Sequence, residues 1–184
     1  MTWNLVSLEA QPEQSWRNGG GTTRELLAWP QPGEWSIRIS VADVQASGPF
    51  SRFEGIERWF AVLDGDGVVL RSAFATHRLT PESEPFRFDG ELPIECTLAH
   101  GPTRDFNLMA LPGRARMQRV RGAAGVRGPA GALLALYTHA TGAHLRSGDE
   151  AVTLPPYHLA WTIPADTQVV QVTGDDALWM EAFP

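Results

Sequence analysis

Lysine is absent: all fifteen basic residues of the 184 are arginine. We read this as a trace of GC-rich coding and attach no function to it. Cysteine occurs once, as Cys96, which excludes an internal disulfide and a thiolate metal cluster. No apolar run approaches the roughly 20 residues of a membrane-spanning helix. The first residues, Met1-Thr2-Trp3-Asn4-Leu5, have neither the basic nor the apolar region of a secretory signal. Helical periodicity is scarce throughout. These absences lead us to expect a cytoplasmic protein with no membrane contact.

Hydrophobic residues make up 43% and charged residues 20%, ordinary values for a globular chain of one domain or two small halves sharing a core. The net charge of −6 is unevenly placed. No acidic residue falls between Phe106 and Gly148, a stretch holding Arg114, Arg116, Arg119, Arg121, Arg127 and Arg146. That patch could meet phosphate, but Arg114 to Arg127 carries no stacking aromatics, so no nucleic-acid partner is expected.

Fourteen prolines and eighteen glycines punctuate short strand-like runs, the pattern of an all-β sandwich or barrel. Trp3 to Leu8 reads as an edge strand, and Thr22 to Trp29 and Trp35 to Val44 as a hairpin about Pro30-Gln31-Pro32-Gly33. An even register in that hairpin sets Arg24 opposite Ser40 and Leu26 opposite Arg38. Arg24, Arg38 and Ser40 would then share one polar face, either solvated or lining a lumen. Ile56 to Leu63 and Val68 to Leu70 flank Asp-Gly hairpin signals. Pro112-Gly113 marks a boundary between residues 1–112 and 113–184. Beyond it Met117 to Val120 is a strand and Gly122 to Gly131 a loose connection, with Gln168 to Thr173 and Leu178 to Phe183 as separate closing strands.

The run Trp16-Arg17-Asn18-Gly19-Gly20-Gly21-Thr22-Thr23-Arg24-Glu25 concentrates the unusual chemistry. Three successive glycines need a backbone reason, and Asn18 tolerates positive φ, so a compact loop is expected. It is either a plain hairpin turn or the approachable rim of a small-molecule site. It is not a phosphate loop, because the strand-to-helix context and the Gly-Lys-Ser/Thr ending are missing.

These residues resemble the N-terminal signature of the HutD/Ves family. So do Trp35-Ser36-Ile37-Arg38-Ile39-Ser40, Gly48-Pro49-Phe50-Ser51 with Gly55-Ile56-Glu57-Arg58, and Gly101-Pro102-Thr103-Arg104-Asp105-Phe106-Asn107-Leu108-Met109. The C-terminal third matches more loosely, by a cupin-like Gly148-Asp149 stretch followed by Pro155-Pro156. The resemblance implies an all-β, bicupin-like (RmlC-like) barrel or jelly-roll with two related halves in one compact unit. It also implies a link to histidine utilisation through regulatory ligand binding, or to stress response.

Cupin enzymes hold metals through His-x-His with a Glu and a later His. His77, His100, His139, His144 and His158 make no such pattern, and Arg58 stands near where a ligand imidazole would be expected. We therefore expect no metal and no cofactor. Cys96 reads as a small core residue, and no Gly-x-Ser-x-Gly elbow is present. The remaining groups suit an anion: Arg24, Arg38 and Arg104 as guanidinium forks, Asn18, Thr23, Ser40 and Asn107 as neutral donors, Glu25 and Asp105 to orient the arginines, and Trp59 as a wall. The same Arg-carboxylate sets could equally tie the halves together, and Glu25 with Asp105 could form an acid/base pair. The expected partner is a small carboxylate-bearing metabolite such as urocanate or a formyl- or formimino-glutamate; a homodimer is allowed for. The alternative is a cupin enzyme: an isomerase, hydrolase or metal-dependent oxygenase.

Overall fold

The structure is a computed structural model describing residues 2–183, and it contains no helix among them. The chain is all-β, and no helix is long and apolar enough to cross a membrane. It forms two compact units, one of residues 11–113 and one combining residues up to Ala10 with those from Arg114 onward. Strand β1 (Asn4–Ser7) belongs to the second of these, because it pairs antiparallel with a late strand, Leu5 opposite Ala160. The leading segment thus packs with the C-terminal strands, not with the N-terminal half as the boundary at 112 implied.

The unit 11–113 holds β2 (Glu13–Ser15), β3 (Gly21–Trp29), β4 (Ile37–Val44), β5 (Gly48–Pro49) and β6 (Glu57–Asp64). It continues through β7 (Val68–Arg71), β8 (Thr76–Leu79), β9 (Phe86–Asp89), β10 (Glu95–Leu98) and β11 (Thr103–Ala110). One sheet runs β2-β3-β4-β11-β6-β9 and a second β5-β10-β7-β8. Phe60, Val62 and Phe88 from the first sheet meet Val68, Leu70, Leu79 and Cys96 from the second in one buried cluster. The sheets therefore face each other across an apolar plug. The opposite face of the larger sheet is buried as well, by Ile37, Ile39, Val41, Phe106 and Leu108. A sheet buried on both faces has no obligation to be apolar on both, and here one face carries the polar groups.

The other unit adds β12 (Ala115–Gly128), β13 (Leu133–Thr138), β14 (Ala143–Ser147), β15 (Glu150–Leu154), β16 (His158–Thr162) and β17 (Gln168–Ala182). Its sheet runs β1-β16-β13-β17-β14-β15, with β12 also on β17. The core includes Leu134, Leu136, Leu145, Val170, Val172 and Trp179. Trp3 meets Trp179 edge-on, with centroids 6.4 Å apart. Two sequence expectations change here. The glycines of 122–128 do not break the chain into a loop, because Gly122 to Gly128 ladder against Gly174 to Gln168. The closing strands are one, β17, long enough to pair with β13 at its end and β14 at its start.

The β3–β4 register also differs from the even pairing. Arg24 lies opposite Val41 and Glu25 opposite Ser40; a bulge follows, after which Leu27 opposes Ile39 and Trp29 opposes Ile37. In an uninterrupted strand Glu25, Leu27 and Trp29 would all point to one face. The extra residue, Leu26, shifts the phase, so that Glu25 joins the polar face while Leu27 and Trp29 join the isoleucines. Arg24, Arg38 and Ser40 consequently do not share a face.

The glycine run is the β2–β3 hairpin turn. Gly19 has φ +70°, and the Gly20 carbonyl accepts from the Gln45 and Ala46 amides at 2.8 and 3.1 Å. At Gly21 a Cβ would be driven into the Asp43 carbonyl oxygen and the Trp16 ring. Since backbone cannot yield as a side-chain tip can, Gly21→Ala should cost about 2–3 kcal/mol. Gly19→Ala, with open space around it, should cost only about 1 kcal/mol for its left-handed φ. Urea unfolding of both variants checks the order.

Candidate functional site

Alternation along four adjacent strands builds a polar wall within the unit 11–113. In register, Arg38 opposes Met109, Ser40 opposes Asn107, and Ala42 opposes Asp105. Across β6, Arg58 opposes Met109 and Phe60 opposes Asn107. On β3, Thr23 opposes Ala42. These side chains line a cavity of about 600 Å³, to which Trp16, Arg17 and Asn18 of the glycine hairpin and Phe50 and Phe53 also contribute. Trp16 is fixed there by its indole N–H, which donates to Thr23 Oγ1 at 2.7 Å. Asn18 is fixed by accepting the Gly20 amide at 3.0 Å.

Arg58 is the most constrained group. It is 5% exposed, its guanidinium lies 4.9, 5.7 and 5.0 Å from the ring centres of Phe50, Phe53 and Phe88, and its Nη2 donates to Asn107 Oδ1 at 2.7 Å. Its Nε has no hydrogen-bond partner. Burial, with Arg38 nearby, lowers its pKa to about 10, so it stays charged at neutral pH. Arg38 is oriented by Glu25, whose Oε2 accepts its Nε at 2.6 Å. That bond engages Nε, and Arg38 lines the cavity.

Of the sequence-derived candidates, Asn18, Thr23, Arg38, Ser40, Asp105 and Asn107 line the cavity. Glu25 stands behind Arg38. Arg24 is turned to the other face, held by Glu13 at 2.7 Å and the Gln11 carbonyl at 2.8 Å. Arg104 makes a two-point pair with Asp43, at 2.7 and 3.2 Å. The Trp59 indole donates to Glu57 at 3.3 Å. The two arginines tie neighbouring strands together, and the Trp59 bond stays within its own strand. Arg58, Phe50, Phe53 and Met109 were not counted as contacts from the sequence. The signal for Arg58 was its place in the alternation Arg58-Phe60-Val62, a cation on a core-facing strand edge. Glu25 and Asp105 form no acid/base pair, since Glu25 is taken by Arg38.

The model of the HutD family matches residues 8–180. The chain belongs to the HutD family. It is 38% identical, over 61% of its length, to an uncharacterised 21.2 kDa protein in the hutC 3′ region of Pseudomonas putida, and spans about 60% of that relative. It is 34% identical to protein Ves of Cronobacter sakazakii, over 62% of this chain and 64% of that one. The solved structure of HutD from Pseudomonas fluorescens SBW25 superposes with TM-score 0.85 at 29% identity, covering 99% and 98% of the two chains. An oxalate decarboxylase from Lactobacillus farciminis shares the cupin-like β fold, with TM-score 0.67 at 8% identity over 98% and 86%.

Cupin-fold enzymes imply a metal, and this HutD-family cavity does not fit one. Its centre holds two guanidiniums, Arg38 and Arg58, where a cation would need His and carboxylate donors. Among the described residues, no three His, Cys, Asp or Glu side chains converge for a metal. Cys96 is 2% exposed, and burial, with Asp105 nearby, pushes its thiol up to about 12, so it is an inert core residue.

Asp105 is the titratable group of the wall. Burial outweighs the Thr103 hydroxyl donating to Oδ2 at 2.9 Å, and the charge of Asp43 adds to it, so the carboxyl rises from 3.8 to about 7. The native state therefore binds more protons than the unfolded chain between those values. Stability contributed by this group is present below pH 3.8 and lost as pH rises toward 7. Asp105→Asn should remove that slope and gain up to a few kcal/mol at pH 8, at about 1.4 kcal/mol per unit. Denaturant unfolding of both proteins at pH 5 and pH 8 measures the difference.

Proposed function

We propose that this HutD-family chain is a metal-free, bicupin-like receptor for a small carboxylate-bearing metabolite, with an accessory or regulatory role in histidine utilisation. The observation that carries this is the pair of guanidiniums lining one cavity. Arg58 is held inside an aromatic wall with Nε unsatisfied, and Arg38, braced through Nε by Glu25, lines the same cavity. A carboxylate supplies the two acceptor oxygens such forks require, and burial of Arg58 strengthens the attraction relative to water. Ser40, Thr23 and Asn107 add neutral hydrogen bonds, which fix orientation without adding charge. The name of the Pseudomonas putida relative, placing it in the hutC 3′ region, supports histidine catabolism as the source of the ligand. Urocanate and formyl- or formimino-glutamate are the compounds of that chemistry with a carboxylate of suitable size. The two β units are taken as the two cupin-like halves, with the ligand in the first.

One observation favours an enzyme instead: a cavity carboxyl, Asp105, that titrates near pH 7. Conversion of urocanate or N-formylglutamate on incubation with the protein would establish it.

Calorimetry with urocanate and N-formylglutamate tests the receptor. Arg38→Ala and Arg58→Ala should each weaken binding by about tenfold or more, the loss of one charged hydrogen bond. Arg24→Ala should leave it unchanged. Binding indifferent to both Arg38 and Arg58 sinks the assignment.

A further inference from the structure

We propose that Asp105 is the second recognition element of this cavity, and that it selects carboxylates carrying an N–H donor about 7 Å from the carboxylate end. The inference rests on the carboxylate reading above and narrows it to a ligand class.

Asp105 has no exposure to solvent and lines the cavity. Its Oδ2 accepts from Thr103, while Oδ1 has no hydrogen-bond partner. A buried carboxylate oxygen without a donor is costly, so such an atom calls for a partner from outside the chain. The charged groups around it do not provide one. Arg58, on β6, donates to Asn107 and the Ser51 carbonyl, and Arg38, on β4, donates to Glu25. Cys96, on β10, is a neutral thiol, and Asp43, on β4, is a like charge committed to Arg104. The carboxyl holds a proton up to about pH 7, which reduces the cost but leaves the second oxygen unsatisfied.

Spacing sets the ligand's length. Asp105 and Asn107 are two residues apart on one face of β11, about 7 Å along the strand. Arg58 is bonded to Asn107, so the cationic end of the cavity lies one such step from Asp105. Opposite these positions β4 offers only Ser40 and Ala42, small side chains that leave a slot along β11. A ligand in that slot puts its carboxylate at Arg58 and Arg38 and an azole, amide or imine N–H at Asp105. A carboxylate without that N–H would leave Oδ1 unpaired and lose the corresponding affinity.

The test is a matched pair of probes in calorimetry at pH 8.5: urocanate and its thienyl analogue, whose ring has a similar outline and no N–H. Wild type should bind urocanate about ten- to a hundredfold more tightly, the worth of a hydrogen bond to a charged group. In Asp105→Ala the two affinities should converge to within about twofold, mainly by weakening of urocanate. Equal affinities in wild type overturn the role of Asp105 while leaving the anion site intact. A preference that survives Asp105→Ala does the same. Failure of both probes to bind removes the anion site, and this inference with it. Should Asp105→Ala not fold, the wild-type ratio decides alone: a preference upholds the proposal and equality overturns it.

Discussion

The interaction on which the site depends is the burial of one guanidinium. Arg58 sits at the border between the apolar plug of Phe60, Val62 and Phe88 and the polar wall of β3, β4 and β11. A charge there is tolerable only when the surroundings answer it. Three phenylalanine rings offer their faces, and Asn107 offers a carbonyl oxygen. That answer is incomplete, because none of these partners is a carboxylate. The result is a fixed positive centre held partly unsatisfied beside a cavity, which is the electrostatic condition for binding an anion.

The bulge at Leu26 serves the same end. The strand after the glycine turn has to place Glu25 behind Arg38 and, two residues on, Leu27 against the isoleucines of β4. Regular alternation forbids both at once. One inserted residue reconciles them, and it also sends Arg24 to the face away from the cavity, where it meets Glu13. The glycine run contributes by bringing Trp16 and Asn18 back over the cavity rim. It acts through close backbone approach at Gly21, not through a phosphate cradle.

Membership of the HutD family and the likeness to cupin-fold enzymes speak to different levels. The fold is shared with proteins at 8% identity, so it says little about chemistry. What distinguishes this chain is the lining of the cavity: arginines, amides and one carboxyl in place of a cation-binding set.

Alternating apolar and polar residues and frequent turn signals made the all-β class legible from the sequence alone. Four motif blocks made the family legible, and Arg38, Ser40, Asp105 and Asn107 could be named because polar residues at every second place of a core strand require an explanation. Which arginines face the cavity was not legible. Arg24, Arg38, Arg58 and Arg104 are chemically alike in one dimension, and only strand register, with its single-residue bulge, and the pairing of distant strands sort them. Arg24 and Arg104 close ion pairs on the sheet face away from the cavity, whereas Arg38 and Arg58 line it. The unpartnered oxygen of Asp105 belongs to the same category. Sequence sets which groups exist and with what periodicity, and tertiary structure decides which of them remain without partners, since satisfaction of a polar atom is a property of its neighbours in space.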